Sequence, residues 1–321
     1  MIKKRTIVFA VLLLCAGVAS AQDRASMTAH EERLRAALER ASTAADGAQR
    51  LAASTEALSV LASALEEDRS ERWQWKLPRT ASVLTSPDKR LRVFSWAVVN
   101  DAGEYECFGA VQYYSDRDEG YRYELLEDHG YELMNREESL LGAERWLGAV
   151  YQELIQTTAS DRTYYTLLGW NGVDALTDLR VIEPVSIRGG KVQFGAALFR
   201  RERNLRRIVV EYRDGAAVQM AHEEQTVQTV TRERVKQGGR MRTVEKTKEH
   251  KERMIIFDEV EPQVGGMRGL YQYYVPSGLE LAYVWVDGKW ELRHGAQGRL
   301  ADKKLNKAFE PLPKQAPAYK Y

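Results

Sequence analysis

The stretch TYYTLLGWNGVDALTDLRVIEP, residues Thr163–Pro184, decides the fold class of this chain. Its first part is rich in β-branched and aromatic residues, which fit the half-buried surface of a strand. The Gly-Trp-Asn-Gly segment that follows contains residues that tolerate the positive φ angles of turns. A second apolar run ends at Pro184, which lacks a backbone N–H and therefore predicts a strand end or a sheet edge. The whole stretch predicts a β-hairpin or a strand corner.

Three residues of this stretch, Trp170, Asn171 and Tyr164, are candidate binding residues. An exposed aromatic ring and an amide in a turn suit ligand binding. Alternatively, Trp170 fills the core and Asn171 is a turn residue. Tyr164 and Tyr165 direct their rings to opposite faces of a sheet, so one ring of the pair lies outside that core. Such a ring either binds a glycan or a peptide, or forms a cross-strand pair that stabilises the sheet.

Residues 73–295 continue this pattern and predict one antiparallel β domain. Strand-like runs alternate with turns such as Arg188–Lys191 and Asp287-Gly288, and the second is a strong hairpin signal. Asp214-Gly215 likewise predicts a hairpin within Leu205–Met220. No βαβ pattern interrupts the series, so consecutive strands are expected to pair. The fold class is therefore mainly β, an antiparallel meander (a sandwich, a barrel or an irregular propeller-like fold) preceded by an N-terminal α-helical segment.

That helical segment is predicted over residues 22–72, as a helical hairpin or one bent helix that breaks near Gly47. Thr28 and Glu31 form a capping-box pattern, which predicts a helix start at this point. Leu51, Leu58 and Leu65 recur every seven residues and form a narrow apolar stripe. The stripe packs either on the body of the protein or on a partner helix, and two heptads are too few to indicate a coiled coil.

Residues 1–21 have the pattern of a signal peptide. A basic start at Lys3–Arg5 precedes an apolar run, and Ala19–Ala21 provides small residues for cleavage before Gln22. A lipid anchor on Cys15 would require a small residue before it, and Leu14 stands there instead. No later stretch is as long and apolar as a membrane span. We therefore expect an exported protein with no transmembrane span after signal cleavage.

The charge balance argues against a nucleic-acid binder. The full chain has 47 basic and 46 acidic residues, and loss of the three basic residues of the signal peptide leaves 44 against 46. A net charge of −2 lacks the electrostatic pattern of nucleic-acid binding. Cys107 is then the only cysteine, so no internal disulfide can form, and we expect its thiol to be buried and inert.

Residues 225–253 predict a charged hairpin that protrudes from the β domain, or alternatively a solvated, mobile loop. From Arg232 to Arg253 the chain has nine Lys or Arg residues against four Glu, with Gly238-Gly239 at the middle. Arg240 and Arg242 beside this turn are candidate contacts for an acidic partner, although a charge run is also typical of a solvated face. Residues 296–321 are rich in Pro and Lys and predict a disordered or surface-draped tail.

Motifs for catalysis or metal binding are missing from the sequence. There is no nucleophile elbow, no phosphate loop and no pair of histidines at zinc spacing. We therefore predict no cofactor and no metal site, and we assign no catalytic residue. Carboxylates for glycoside hydrolysis can still be brought together from distant strands.

Four stretches of the chain resemble a family of uncharacterised exported proteins from Bacteroidetes-type bacteria. They are SPDKRLRVFSW (Ser86–Trp96), TYYTLLGWNG (Thr163–Gly172), MIIFDEVEP (Met254–Pro262), and GLYQYYVPSG followed by WVDGKWEL (Gly269–Leu292). The resemblance covers roughly the β-rich two thirds of the chain. It implies the periplasm, the cell envelope or secretion from a Gram-negative bacterium, and it implies no activity.

The expected function is a non-enzymatic binding or assembly role in the envelope, with an envelope protein or a glycan as partner and no nucleic acid. The alternative is a hydrolase that acts on cell-envelope or imported polymers through scattered Asp and Glu residues. A deep cleft with two or more convergent carboxylates favours the enzyme, whereas an aromatic face favours binding.

Overall fold

A computed structural model describes residues 3–200, 204–237 and 240–294 of the chain. The fold is mainly β, with antiparallel sheets and a half-barrel that follow two N-terminal helices. The predicted fold class is therefore confirmed. Within the described residues, no helix has both the length and the apolar composition needed to cross a membrane. The tail predicted for residues 296–321 lies outside the described residues.

The two helices are α1, Lys3–Thr43, and α2, Gly47–Glu66. Of the two predicted alternatives, a helical hairpin and one bent helix, they form the hairpin. Arg40 near the end of α1 pairs with Glu56 of α2 at 2.5 Å. The Asp46 side chain caps α2 by accepting a hydrogen bond from the backbone N–H of Gln49. The break near Gly47 was therefore predicted correctly.

The predicted helix start at Thr28 is wrong. Thr28 lies inside α1, which continues through the expected cleavage site after Ala21. Its hydroxyl donates to the carbonyl oxygen of Arg24 at 2.8 Å, one turn earlier. A Thr can use its hydroxyl in this way within a helix, so the capping-box pattern alone does not fix a helix start.

Thirteen strands form three antiparallel sheets within the described residues. The first sheet contains β1–β4 in sequence order, the second β5–β9, and the third β10–β13 in sequence order. The bounds of the strands are β1 Ala81–Thr85, β2 Leu91–Val99, β3 Tyr105–Ser115, β4 Gly120–Leu126, β5 Val150–Ala159, β6 Arg162–Asn171, β7 Thr177–Arg188, β8 Lys191–Phe194, β9 Ile208–Arg213, β10 Met220–Gln237, β11 Arg240–Pro262, β12 Tyr274–Val286 and β13 Lys289–His294.

Apolar side chains join the helices and the sheets into four successive layers. The helical hairpin packs on one face of the first sheet, where Leu61 meets Phe94 and Trp96 in one buried cluster. The opposite face of the first sheet packs on the second sheet. The other face of the second sheet contributes Ile182 to a cluster shared with Phe257 of the third sheet. Strand alternation explains how one sheet serves two apolar layers.

The stretch that decides the fold forms the hairpin β6–β7, as predicted. Pro184, however, marks neither a strand end nor an edge, because β7 continues to Arg188. On the side of β7 away from β6, β9 pairs with β7 up to Ile182 and β8 pairs from Val185 onward. The carbonyl oxygen of Pro184 accepts from Gly195 on that same side at 2.7 Å. The nitrogen of Pro184 therefore faces the junction between two partner strands, where no ladder donor is required.

The hairpin predicted around Asp214-Gly215 is wrong, although those at Arg188–Lys191 and Asp287-Gly288 are confirmed. β9 pairs with β7 instead of β10. Its apolar residues Ile208, Val210 and Tyr212 are buried in the layer between the second and third sheets. Burial of these side chains against distant strands determines which strand β9 pairs with. The Asp214-Gly215 sequence indicates only that the chain turns there.

β10 and β11 form the predicted charged hairpin, in continuous register from Met220↔Phe257 to Gln237↔Arg240. β12 pairs with β11 only as far as Met254↔Val284, so the last 14 pairs, from Glu224↔Arg253 onward, form a two-stranded ribbon. At about 3.4 Å per residue, this ribbon extends about 45 Å. Arg240 and Arg242 lie in β11, and their side chains are outside those that the structure describes.

Candidate functional site

A cavity of about 960 Å³, here called the basic groove, is the best candidate site. Its lining combines many cations with tyrosine rings and includes one carboxylate. The charged and tyrosine residues of the lining are Arg90, Arg162, Arg188, Arg206, Lys289, Tyr114, Tyr164, Tyr165 and Asp116.

The strand ends of the second sheet place the cations at the groove. Arg162 is the first residue of β6, directly after the tight turn Ser160-Asp161, both of which have positive φ. Arg188 is the last residue of β7. Because β6 and β7 run antiparallel, the first residue of β6 and the last residue of β7 lie at the same end of the two strands. Lys289, the first residue of β13, joins them from the third sheet.

Three of the groove cations have no acidic partner in the described part of the chain. Asp116 pairs with Arg90 at 2.6 Å, and this guanidinium also lies 4.5 Å above the ring of Tyr114. Arg162 and Arg188 are exposed and Arg206 is half-buried, and none of the three has a described carboxylate within 4 Å. The groove therefore carries an excess of positive charge that its own residues do not neutralise.

The tyrosines of the groove are held in place by their neighbours. Tyr164 is half-buried and packs against Trp285 at a centroid distance of 5.4 Å. Tyr165 is buried and donates its hydroxyl hydrogen to Asp88 at 2.7 Å. Burial and the Asp88 carboxylate raise the pKa of Tyr165, so the phenol stays neutral. Partial burial opposes ionisation of Asp88, but hydrogen bonds from Ser86 and Tyr165 outweigh it and lower the pKa of Asp88.

A buried ion pair fixes the backbone beside Arg206. Arg207 and Glu183 are fully buried and lie 2.6 Å apart. The second carboxylate oxygen of Glu183 accepts from the hydroxyl of Tyr151, and the Arg207 guanidinium also donates to the carbonyl of Phe194 at 3.2 Å. Arg207 thus anchors its segment in the core, while its neighbour Arg206 lines the groove.

The chemistry of the groove suits an anionic ligand. Guanidinium groups present parallel N–H donors that match carboxylate and phosphate oxygens. Tyrosine rings offer an apolar surface with a polar tip, which suits contact with sugar rings. Cations without internal partners lose no ion pair when such a ligand binds. The groove is therefore equipped for a ligand that carries both negative charge and ring surfaces.

A second cavity of about 730 Å³, the acidic cleft, lies between the helical hairpin, the first sheet and the β6–β7 connection. It has the opposite charge. The carboxylates in its lining are Asp101, Glu104, Glu106, Asp128 and Asp174. Its lining includes one cation, Arg136, which already pairs with Glu211 at 3.0 Å.

Asp128 is the most perturbed carboxyl group of the acidic cleft. Burial raises its pKa to about 6, and the hydrogen bonds to its oxygens offset only part of this effect. Those bonds come from the backbone N–H groups of Gly130 and Cys107, each at 2.9 Å. A side chain at Gly148 would overlap the carboxylate, because a Cβ there would lie 2.4 Å from its oxygens. Partial burial of its carboxyl group also raises the pKa of Glu106, the residue before Cys107.

The candidate residues from the sequence fall into different places. Trp170 is buried in the core, edge-on to Tyr105 at 5.2 Å, as the core interpretation requires. The amide of Asn171 donates to the carbonyl of Gly148 at 2.8 Å and accepts from the N–H of Val173 at 2.7 Å, as a turn residue would. Neither forms an exposed tip, although Asn171 borders the acidic cleft. Tyr164 alone lines the basic groove.

Sequence reasoning did not identify Arg162, Arg188 or Arg206 as site residues. Arg162 and Arg188 lie beside turns, and their position at the same end of two neighbouring strands follows only from the pairing of β6 with β7. A cation at a strand end next to a predicted tight turn is the signal that could have found these two. Arg206 lies in an irregular segment before β9 and gives no such signal.

The described residues contain no group of three or more His, Cys, Asp or Glu side chains that could hold a metal ion. Comparison of the chain with protein-family models, with curated proteins and with solved structures gives no match.

Proposed function

We propose that this chain is an exported envelope protein of a Gram-negative bacterium that binds an anionic glycan in the basic groove, without catalysing a reaction. The observation that carries the proposal is the set of three arginines, Arg162, Arg188 and Arg206, with no described acidic partner. The signal-peptide pattern of residues 1–21 supports the compartment. Tyr164 and Tyr114 add the ring surfaces that distinguish a sugar site from a simple anion site.

Binding in the groove combines charge with ring contact. A hydrogen bond between charged partners contributes about 1.5–3 kcal/mol, so one such bond from each of two guanidinium groups supplies about 3–6 kcal/mol of the about 8 kcal/mol of a micromolar affinity. Arg162 and Arg188 are exposed, and salt screens exposed charges beyond about 10 Å at 0.1 M ionic strength. The affinity should therefore fall as salt concentration rises, while the tyrosine contribution remains.

The test measures binding of trigalacturonate, a short glycan with one carboxylate per sugar, by titration calorimetry. The variant Arg162→Gln/Arg188→Gln should lose at least about tenfold in affinity, the equivalent of about 1.4 kcal/mol. Arg145→Gln is the matched control, because Arg145 is an exposed arginine outside the groove lining. The methyl-esterified trisaccharide keeps the rings but loses the charge, and it should bind the native protein weakly.

Equal affinity for the charged and the esterified sugar would contradict the proposal that the ligand is anionic. Equal affinity of the native protein and the groove variant would remove the groove as the binding site. A binding-neutral result for Tyr164→Ala, with the arginine effect intact, would reduce the proposal to a site for anions without sugar recognition.

The second candidate function is hydrolysis of envelope or imported polymers in the acidic cleft. It is favoured by Asp128, whose pKa of about 6 would let it act as a general acid near neutral pH. Against it, the two backbone N–H groups of Cys107 and Gly130 already occupy the Asp128 oxygens. Reducing-sugar release from envelope polysaccharides tests this candidate. Activity that disappears in Asp128→Asn and in Glu106→Gln would replace binding with catalysis.

A further inference from the structure

The ribbon of β10 and β11 is strongly charged and stands out from a body of opposite charge. From Glu224 to Arg253 the chain has nine basic and five acidic residues, whereas the remainder has 38 basic and 41 acidic residues. The described basic side chains of the ribbon are exposed; they are Arg232, Lys246, Lys248, Lys251 and Arg253. The excess of basic over acidic residues is therefore confined to this one projecting element.

The ribbon and the basic groove lie at the same end of the molecule. The ribbon arm of β11 enters the third sheet at Met254, which pairs with Val284 near the end of β12. The β12–β13 turn follows at once, and Lys289, directly after it, lines the groove. Trp285 of β12 donates its indole N–H to the carbonyl of Thr158 at 3.2 Å, which brings the β5–β6 turn to this end as well.

The start of β10 gives a second contact between the two regions. The N–H of His222 donates to a carboxylate oxygen of Glu153 in β5 at 3.1 Å. From Glu153, β5 runs to the turn that precedes Arg162, and from His222, β10 runs into the ribbon. The ribbon therefore emerges beside β5, whose end leads through the Ser160-Asp161 turn to Arg162 of the groove.

The internal ion pairs of the ribbon leave it able to bind external anions. Lys251 pairs with Glu224 at 2.8 Å and Arg232 with Glu245 at 2.9 Å, and all four side chains are more than half exposed. Exposed pairs of this kind contribute little to stability, so exchange of a ribbon carboxylate for a ligand carboxylate has a small cost. A second copy of the ribbon is a poor partner, because two elements with the same charge excess repel each other.

We propose that the ligand is a long anionic glycan chain that occupies the basic groove and continues along the ribbon. This inference rests on the proposed function, and it specifies a polymer instead of a short oligosaccharide. A ribbon about 45 Å long adds many weak charge contacts to the stronger contacts of the groove. Because the groove holds one part of the chain, each ribbon contact forms at high effective concentration.

The experiment compares trigalacturonate with polygalacturonate at equal uronate concentration. The native protein should bind the polymer at least about tenfold more tightly than the trimer, since linked contacts multiply affinity. Two ribbon variants remove this gain by different routes. One replaces residues 231–246 by Asn-Gly, and the other, Lys246→Gln/Lys248→Gln/Lys251→Gln, keeps the full length and loses three charges. Both should bind the trimer as the native protein does.

The results separate the two proposals. If both ribbon variants keep the native affinity for the polymer, the ribbon does not carry the ligand, and trimer binding still supports the groove. If Arg162→Gln/Arg188→Gln lowers trimer binding and the ribbon variants lower only polymer binding, both proposals stand. Absence of trimer binding by the native protein overturns the groove proposal, and the polymer inference that depends on it falls too. Equal binding of inorganic polyphosphate would overturn the glycan as ligand class, because polyphosphate has charge without sugar rings.

Discussion

At the residue scale, the fully buried pair of Glu183 and Arg207 links the stability of the fold to the position of the groove. Removal of one partner leaves the other charge buried without compensation, which costs about 3–5 kcal/mol. Glu183→Leu should lower the free energy of unfolding by about this amount in a denaturant titration. Glu183→Leu/Arg207→Met should recover part of the loss, because both charges are then absent. A double variant less stable than the single one would contradict this account.

Asp128 makes the stability of the protein depend on pH. Its pKa of about 6 in the folded state lies above the ordinary value of about 3.9, so the folded state binds more protons between these two pH values. Its contribution to the free energy of unfolding should therefore be largest below pH 4 and be lost as pH rises to about 6, by no more than about 3 kcal/mol. The difference between native protein and Asp128→Asn across this range measures it. Asp161→Asn in an exposed turn is the control, and a difference that grows with pH in the opposite direction would contradict the assignment.

Cys107 is free and buried, as predicted from the cysteine count. Burial raises the pKa of its thiol far above the ordinary value, so the reactive thiolate does not form near neutral pH. Cys107→Ser should cost about 1–3 kcal/mol, the effect of a buried polar replacement. Thermal unfolding of the reduced protein checks the cost, and non-reducing gels should show a monomer. An obligatory dimer linked through Cys107 would show that the residue is accessible after all.

At the element scale, the ribbon should be separable from the fold. Its register pairs Val230 with Thr247, so a two-residue Asn-Gly turn can replace residues 231–246 without a shift. Loop closure changes by only about 0.6 kcal/mol for each doubling of loop length, so the body should keep its stability. The melting temperature should therefore stay within a few degrees of the native value. A fall of more than about 8 °C, which corresponds to a loss of about 2 kcal/mol or more, would show that the ribbon supports the core.

Local turn chemistry explains which hairpins were predictable from the sequence. Gly189-Gly190 and Asp287-Gly288 have the positive φ angles that tight hairpin turns require, and both connect paired strands. Asp214-Gly215 has the same composition, but the chain after it forms no strand until Met220. The second strand of that expected hairpin is missing because β9 finds its partner in β7, and nothing near residue 214 in the sequence indicates this.

At the scale of the whole molecule, the order of layers could not be predicted from the sequence. Strand alternation predicts that Val93 and Phe94 lie on opposite faces of their sheet. Because both residues are apolar, the sequence does not show which face packs on the helices and which on the second sheet. The basic groove could not be predicted for the same reason, since its arginines lie far apart in the chain. Tyr164 became a candidate because adjacent residues on a strand point to opposite faces, so that Tyr164 and Tyr165 could not both lie in one core.

The mature protein should begin at Gln22. Ala19–Ala21 provides the small residues for cleavage, and Leu14 before Cys15 disfavours a lipid anchor. Intact-mass analysis of the protein isolated from its native cells should give a chain without residues 1–21. A mass that includes a diacylglycerol group on Cys15 would mean that the protein is anchored.

The two-stranded ribbon has a length that can change without any change in the core. Each further residue pair adds about 3.4 Å of reach, and pairs added in twos keep every existing side chain on its face. Homologous chains could therefore differ in ribbon length by steps of about 7 Å while the four layers stay the same. The number of residue pairs in the ribbon would then set how far from the body each homologue can make contacts.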